Sequence, residues 1–194
     1  MRVNIATRII PDLDLMTQAF TGHYHAHGEV SEADCVIGLS FGYRGKPGHA
    51  TPGLSNQDLA NFAIKHFPDL PKILQFEIAD AYEEAEGAGA KDIMRVSQHR
   101  LKGKYLDTRE VAAQAQLLMK QHGYKRAALL AHPNHMPRVD AVCAKLGIQT
   151  IVVEGLKGAI EFDPQSTQKW TRELDQWRGY EPQAIEFYQL KGWL

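Results

Sequence analysis

The sequence predicts an α/β fold: an open, mainly parallel Rossmann-like sheet of about five strands, with helices on both faces and further helices at the C-terminus. Three observations predict it. Short apolar runs of strand length alternate with longer segments of helical periodicity. Gly and Pro punctuate the junctions. Strands separated by helices are not hairpin neighbours, so they pair in parallel and need cover on both faces.

The elements follow in order. Pro11–Phe20 predicts an N-terminal helix packed on the domain edge. Asp34–Leu39 (DCVIGL) predicts the first buried strand. The Gly- and Pro-rich loop Ser40–Leu54 follows, and Ser55 is placed to cap a helix whose face carries Leu59, Phe62, Ala63 and Phe67. Pro68 and Pro71 stop that helix, and Lys72–Phe76 (KILQF) predicts the second strand. Ala79–Glu86 predicts a short acidic helix ended by Gly87 and Gly89. Asp92–Val96 is the third strand, before the polar stretch SQHRLKGKYLD.

Thr108–His122 carries a strong apolar face, with Asp107 and Glu110 at capping-box spacing and Gly123 as its stop. Arg126–Ala131 and Ile148–Val153 predict the last two strands, separated by a helix that opens at HPNHMPR and runs to Leu146. Trp170, Leu174 and Trp177, then Ile185, Tyr188 and Gln189, recur at helical spacing. The expectation is one domain over 1–194, with a core at about 34–153 and terminal helices at 11–20 and 166–191.

Composition narrows the partners. The chain has 194 residues, 44% of them hydrophobic, which supplies a full core. Acidic and basic residues nearly balance at a formal charge of −1, against a nucleic-acid binder with its basic excess. No apolar run approaches the roughly 20 residues that cross a bilayer. The start, MRVNIATRIIPDLD, lacks the order of a secretion signal, so a cytoplasmic location is expected. Cys35 and Cys143 read as buried small hydrophobes rather than a disulfide framework.

In open parallel sheets ligands bind beyond the carboxyl ends of the strands. That rule selects Ser40, Gly42, Tyr43, Arg44 and Gly45 after the first strand, Glu77 and Asp80 after the second, and Ser97, Gln98 and His99 after the third. It selects His132, Asn134, His135 and Arg138 after the fourth, and Glu154 after the fifth. The loop SFGYRGKPG combines glycines, which allow close backbone approach, with the charges of Arg44 and Lys46. It is neither a Walker A loop nor a dinucleotide G-x-G-x-x-G. In AHPNHMPR, Pro137 suits a first helical turn whose free N–H groups favour an anion, Arg138 adds a fork of donors, and His135 is a candidate acid/base. Asn134 also reads as a simple helix cap, and His132 as a core residue.

GHYHAHGE sets His23, His25 and His27 at alternate positions, a spacing that binds zinc on a strand. No apolar strand surrounds them, so no metal is expected.

Three stretches together carry a resemblance: VIGLSFG, then DTREV, then AHPNHMPRVDAVCAKLGI. They resemble the YdcF/SanA/ElyC-like family, a domain of unknown function, over roughly Cys35–Val153. The resemblance implies a Rossmann-like fold and carries over Thr108, Glu110, His135 and Arg138 as pocket residues. Asp107 and Val111 stand where the family has Asn, and Tyr43 and Arg44 where small residues are common, which implies an altered ligand. The family implies no settled reaction.

The expected function is an enzyme that hydrolyses, or transfers a group from, a small anionic metabolite, phosphorylated or nucleotide-like. Arg44, Arg138 and the helix start would hold the anion, and His135 with Glu77 or Glu110 would move protons. One alternative is a non-catalytic binder of a nucleotide-type ligand such as S-adenosylmethionine; another is a zinc-dependent hydrolase using the histidine cluster. Neither nucleic acid nor membrane is expected as a partner, the cofactor is unknown, and a homodimer is left open.

Overall fold

A computed structural model describes residues 12–46, 49–87 and 92–194. The first strand, β1 (Cys35–Gly38), is entirely buried and lies at the middle of a five-stranded sheet. On one side it pairs with β4 (Lys72–Gln75), which pairs with β5 (Ile93–Val96). On the other it pairs with β6 (Arg126–Leu130), which pairs with β7 (Gln149–Val152). All four pairings are parallel, as expected. The chain fills one half of the sheet outward from β1, then returns to fill the other. The switch point therefore lies between β1 and β6, where the Rossmann-like arrangement opens a crevice.

Helices α2 (Leu54–His66) and α3 (Phe76–Glu86) pack together over one face. Helices α4 (Thr108–His122) and α5 (Met136–Lys145) pack over the other. Helix α1 (Leu13–Thr21) rests on α5 and on the long C-terminal helix α6 (Leu174–Leu190). Ile37, Leu74, Leu129 and Val139 are fully buried between the layers, as are both cysteines. Such burial stabilises by about 1.5–3 kcal/mol per large aliphatic side chain. Among the described residues, no helix is long and apolar enough to cross a membrane.

Several expectations are corrected. The Ser40–Leu54 loop contains a small antiparallel hairpin, β2 (Arg44–Lys46) with β3 (His49–Thr51). Gly45, at φ +90°, sits so close to the His49 carbonyl that any Cβ would collide with it. Helix α2 is capped by the Gly53 backbone, while the Ser55 hydroxyl donates to the Glu161 carbonyl at 2.6 Å. Helix α3 begins directly at the end of β4, three residues earlier than its periodicity suggested. The terminal region 166–191 is a short 3-10 turn, Lys169–Thr171, followed by α6. Pro11 of the expected N-terminal helix, and Gly89, lie outside the described residues.

Candidate functional site

Ser40, Phe41 and Gly42 follow β1 at the switch point. The Ser40 N–H donates to Gln75 Oε1 at 3.1 Å, and the Phe41 N–H to Asn56 Oδ1 at 3.0 Å. Gly42, at φ +75°, is pressed against Ser166 and Thr171, whose hydroxyls occupy the space a Cβ would need. The segment leading into α6 thus closes over this loop. Beyond the loop lies a cleft with two connected parts. Ser40, Gly42, Gln75, Tyr105 and Gln168 line both.

The outer chamber is about 290 Å³. Tyr43, Glu77, His99 and Lys104 add to its wall. Glu77 stands in the first turn of α3 and is only 5% exposed. A carboxylate at a helix N-terminus ordinarily gains from the helix dipole. Burial outweighs that gain and pushes the Glu77 carboxyl up to about 7. Its Oε2 and the Ser40 Oγ are both buried without a well-formed hydrogen bond, although Ser40 and Gln75 lie near enough to the carboxyl to favour its charged form. Native proteins rarely leave such atoms unpaired away from functional sites.

The inner recess is smaller, about 50 Å³, enough for a few water molecules or the head of a ligand. Thr108, His135, Arg138, Trp177 and Tyr180 surround it. Asp107 caps α4 by accepting from the Glu110 N–H at 2.9 Å, which points that helix N-terminus at the recess. Thr108 Oγ1 accepts from Arg138 NH1 at 2.8 Å and lies 3.1 Å from His135 Nε2. The His135 ring is 6% exposed, and burial, with Arg138 beside it, holds it neutral far below its ordinary pKa.

The two arginines expected to hold an anion are both engaged within the protein. Arg44 is clamped by buried Asp163 at 2.8 and 2.7 Å and does not line the cleft. Arg138 reaches the recess, but Nε and NH2 are bound to Glu181 Oε1 and Oε2 at 2.7 and 2.9 Å. Burial alone would depress Arg138; the Glu181 carboxylate outweighs it and keeps the guanidinium charged.

Other expectations are corrected as well. Glu110 turns away from the cleft, where Arg100 grips it through Nε at 2.7 Å and NH2 at 3.0 Å. That pairing holds its carboxyl down at about 2, so it carries no proton near neutrality. Asn134 donates to the Ala19 carbonyl at 2.7 Å and fastens α1 to the core. His132 stacks on Phe41 at 4.0 Å, and burial pushes it down to about 3. Its ring, Gly45 and Glu154 lie outside the wall of the cleft. Ser40, Gly42, Tyr43, Glu77, Thr108, His135 and Arg138 are brought together around it.

Sequence reasoning missed the C-terminal contribution. Gln168, Trp177, Tyr180 and Glu181 close or buttress the recess, although they lie far from any predicted strand end. Their helical spacing was legible; the burial of Glu181 and its pairing with Arg138 were not. Tyr105 closes the cleft from the loop after β5.

The three histidines take separate partners: His23 meets Lys157, His25 faces Asp14, and His27 meets Thr150. Among the described residues, no group of three or more His, Cys, Asp or Glu side chains is placed to hold a metal. No family model, curated protein or solved structure matches this chain.

Proposed function

We propose that the protein is an enzyme that binds a small anionic metabolite, phosphorylated or nucleotide-like, across the β1–β6 switch point and hydrolyses it or transfers a group from it. One observation carries the reading. Glu77 has a buried carboxyl oxygen without a well-formed hydrogen bond and a pKa raised to about 7, beside the Ser40 hydroxyl, in the outer chamber at the strand ends. A carboxyl that is half protonated near neutrality can both take and return a proton, as acid/base catalysis requires.

With Arg44 and Arg138 already paired, the anionic end of the ligand is drawn to Lys104 at the mouth. Lys102 and Lys104 line an adjoining depression and extend that charge. The three stretches that resemble the YdcF/SanA/ElyC-like family all border the cleft, where a member of that family would carry its pocket residues.

The test is a panel of phosphorylated and nucleotide-type metabolites followed by NMR. The wild-type protein consumes at least one member, and Glu77→Gln binds the same compound without consuming it. A compound bound by both and consumed by neither would favour the non-catalytic binder.

A further inference from the structure

We propose that His135 serves the recess as a neutral hydrogen-bond donor through Nδ1–H, and that the recess therefore receives an sp2 oxygen, from a carbonyl or carboxylate, rather than a phosphate. The identification of the recess as part of the ligand site rests on the function proposed above; the tautomer does not.

The argument is one of donors and acceptors. A guanidinium can only donate. Arg138 gives Nε–H and an NH2 proton to Glu181, and an NH1 proton to Thr108 Oγ1 at 2.8 Å. The Thr108 hydroxyl has a single proton of its own, and His135 Nε2 lies 3.1 Å away. Giving that proton to Nε2 makes Nε2 an acceptor. A neutral imidazole carries one N–H, so it must then be on Nδ1. Glu181, Arg138 and Thr108 thus act as positioning residues for the ring.

His135 Nδ1 is buried and has no partner within the protein. A buried donor without an acceptor is costly. The His135 ring is part of the wall of a recess that also contains Arg138 and the α4 N-terminus. The recess is rich in donors, yet the Arg138 charge is cancelled by Glu181 at bonding distance. Such a site suits a carbonyl or a singly charged carboxylate and compensates a phosphate dianion poorly. The volume of about 50 Å³ admits only the head of a ligand. The phosphate of a larger ligand would then face outward, toward Lys104.

The experiment is a long-range ¹H–¹⁵N correlation spectrum of the ligand-free protein at pH 7.5, followed by titration with sodium acetate and, separately, inorganic phosphate. The expected result is a protonated Nδ1 and a pyridine-type Nε2 for His135, with acetate but not phosphate shifting the Nδ1 resonance saturably. Thr108→Val should release the fixed tautomer, and His135→Phe should weaken acetate binding about tenfold, the equivalent of roughly 1.4 kcal/mol. A protonated Nε2, as would follow if the Thr108 hydroxyl turned to neighbouring Tyr188, overturns the proposal. So does a His135 resonance that responds to phosphate and not to acetate. An inactive protein with an ordinary Glu77 would sink the enzymatic reading while leaving the tautomer measurement intact.

Discussion

The Arg138 guanidinium and the Glu181 carboxylate face each other through two parallel hydrogen bonds of 2.7 and 2.9 Å, and Glu181 is wholly shielded from solvent. The pair joins α5 of the sheet domain to the C-terminal helix α6, with Tyr188 and Trp177 stacked around the guanidinium. It makes α6 part of the site rather than an edge decoration.

Breaking the pair from one side should be severe. Arg138→Ala strands a buried carboxylate, and Glu181→Ala strands a buried guanidinium. Either should cost about 3–5 kcal/mol in urea denaturation. The double substitution Arg138→Met with Glu181→Leu should recover most of that loss, because no charge is left uncompensated. Equal stability of the single and double variants would show that the pair does not hold α6.

Glu77 ties stability to pH with a definite sign. Its folded pKa, about 7, is above the ordinary value of 4.5. The unfolded chain therefore releases the proton first as pH rises, and stability falls between about 4.5 and 7. The gap corresponds to about 3 kcal/mol. Glu77→Gln should match the wild type near pH 4 and exceed it at pH 8 by an amount of that order. Thermal melts at the two pH values measure the difference.

Glu110 behaves in the opposite sense. Its folded pKa lies at about 2, held down by Arg100. The resulting stability is present above about 4.5 and is lost as pH falls toward 2. Glu110→Gln should lower the melting temperature at pH 7, with little effect at pH 2, and should leave turnover unchanged because its side chain is outside the cleft. A large loss of turnover without a loss of stability would restore Glu110 to the catalytic set.

Gly42→Ala tests how the C-terminal segment closes the cleft. The new methyl would collide with the Thr171 and Ser166 hydroxyls at a backbone φ of +75°. The expected cost is about 1–3 kcal/mol. Hydrogen exchange should accelerate at the Thr167 N–H, which donates to the Tyr43 carbonyl at 2.7 Å.

The sheet was legible because its strands are short, apolar and separated by helices of clear periodicity. The same reading placed Ser40, Glu77 and His135 on the edge that lines the cleft, since strand ends share one edge of a parallel sheet, and the family resemblance added Thr108. It could not assign partners. Arg44 and Arg138 look alike as free cations in the sequence, yet Asp163 and Glu181, 119 and 43 residues away, occupy both. Glu110 sits at the expected helix start, but its direction around the helix axis sends it to Arg100. Long-range pairing of this kind leaves no periodic trace, and so the sequence left open whether the Trp170–Trp177 helix covers the pocket or a partner subunit.

The most direct measurement is a ¹³C NMR titration of the Glu77 carboxyl, assigned by comparison with Glu77→Gln. A midpoint near pH 7 is predicted, because the group is buried at the switch point with an oxygen that lacks a well-formed hydrogen bond. A midpoint near 4.5 would mean a solvated, ordinary carboxylate, and would contradict its proposed role as the proton carrier of the cleft.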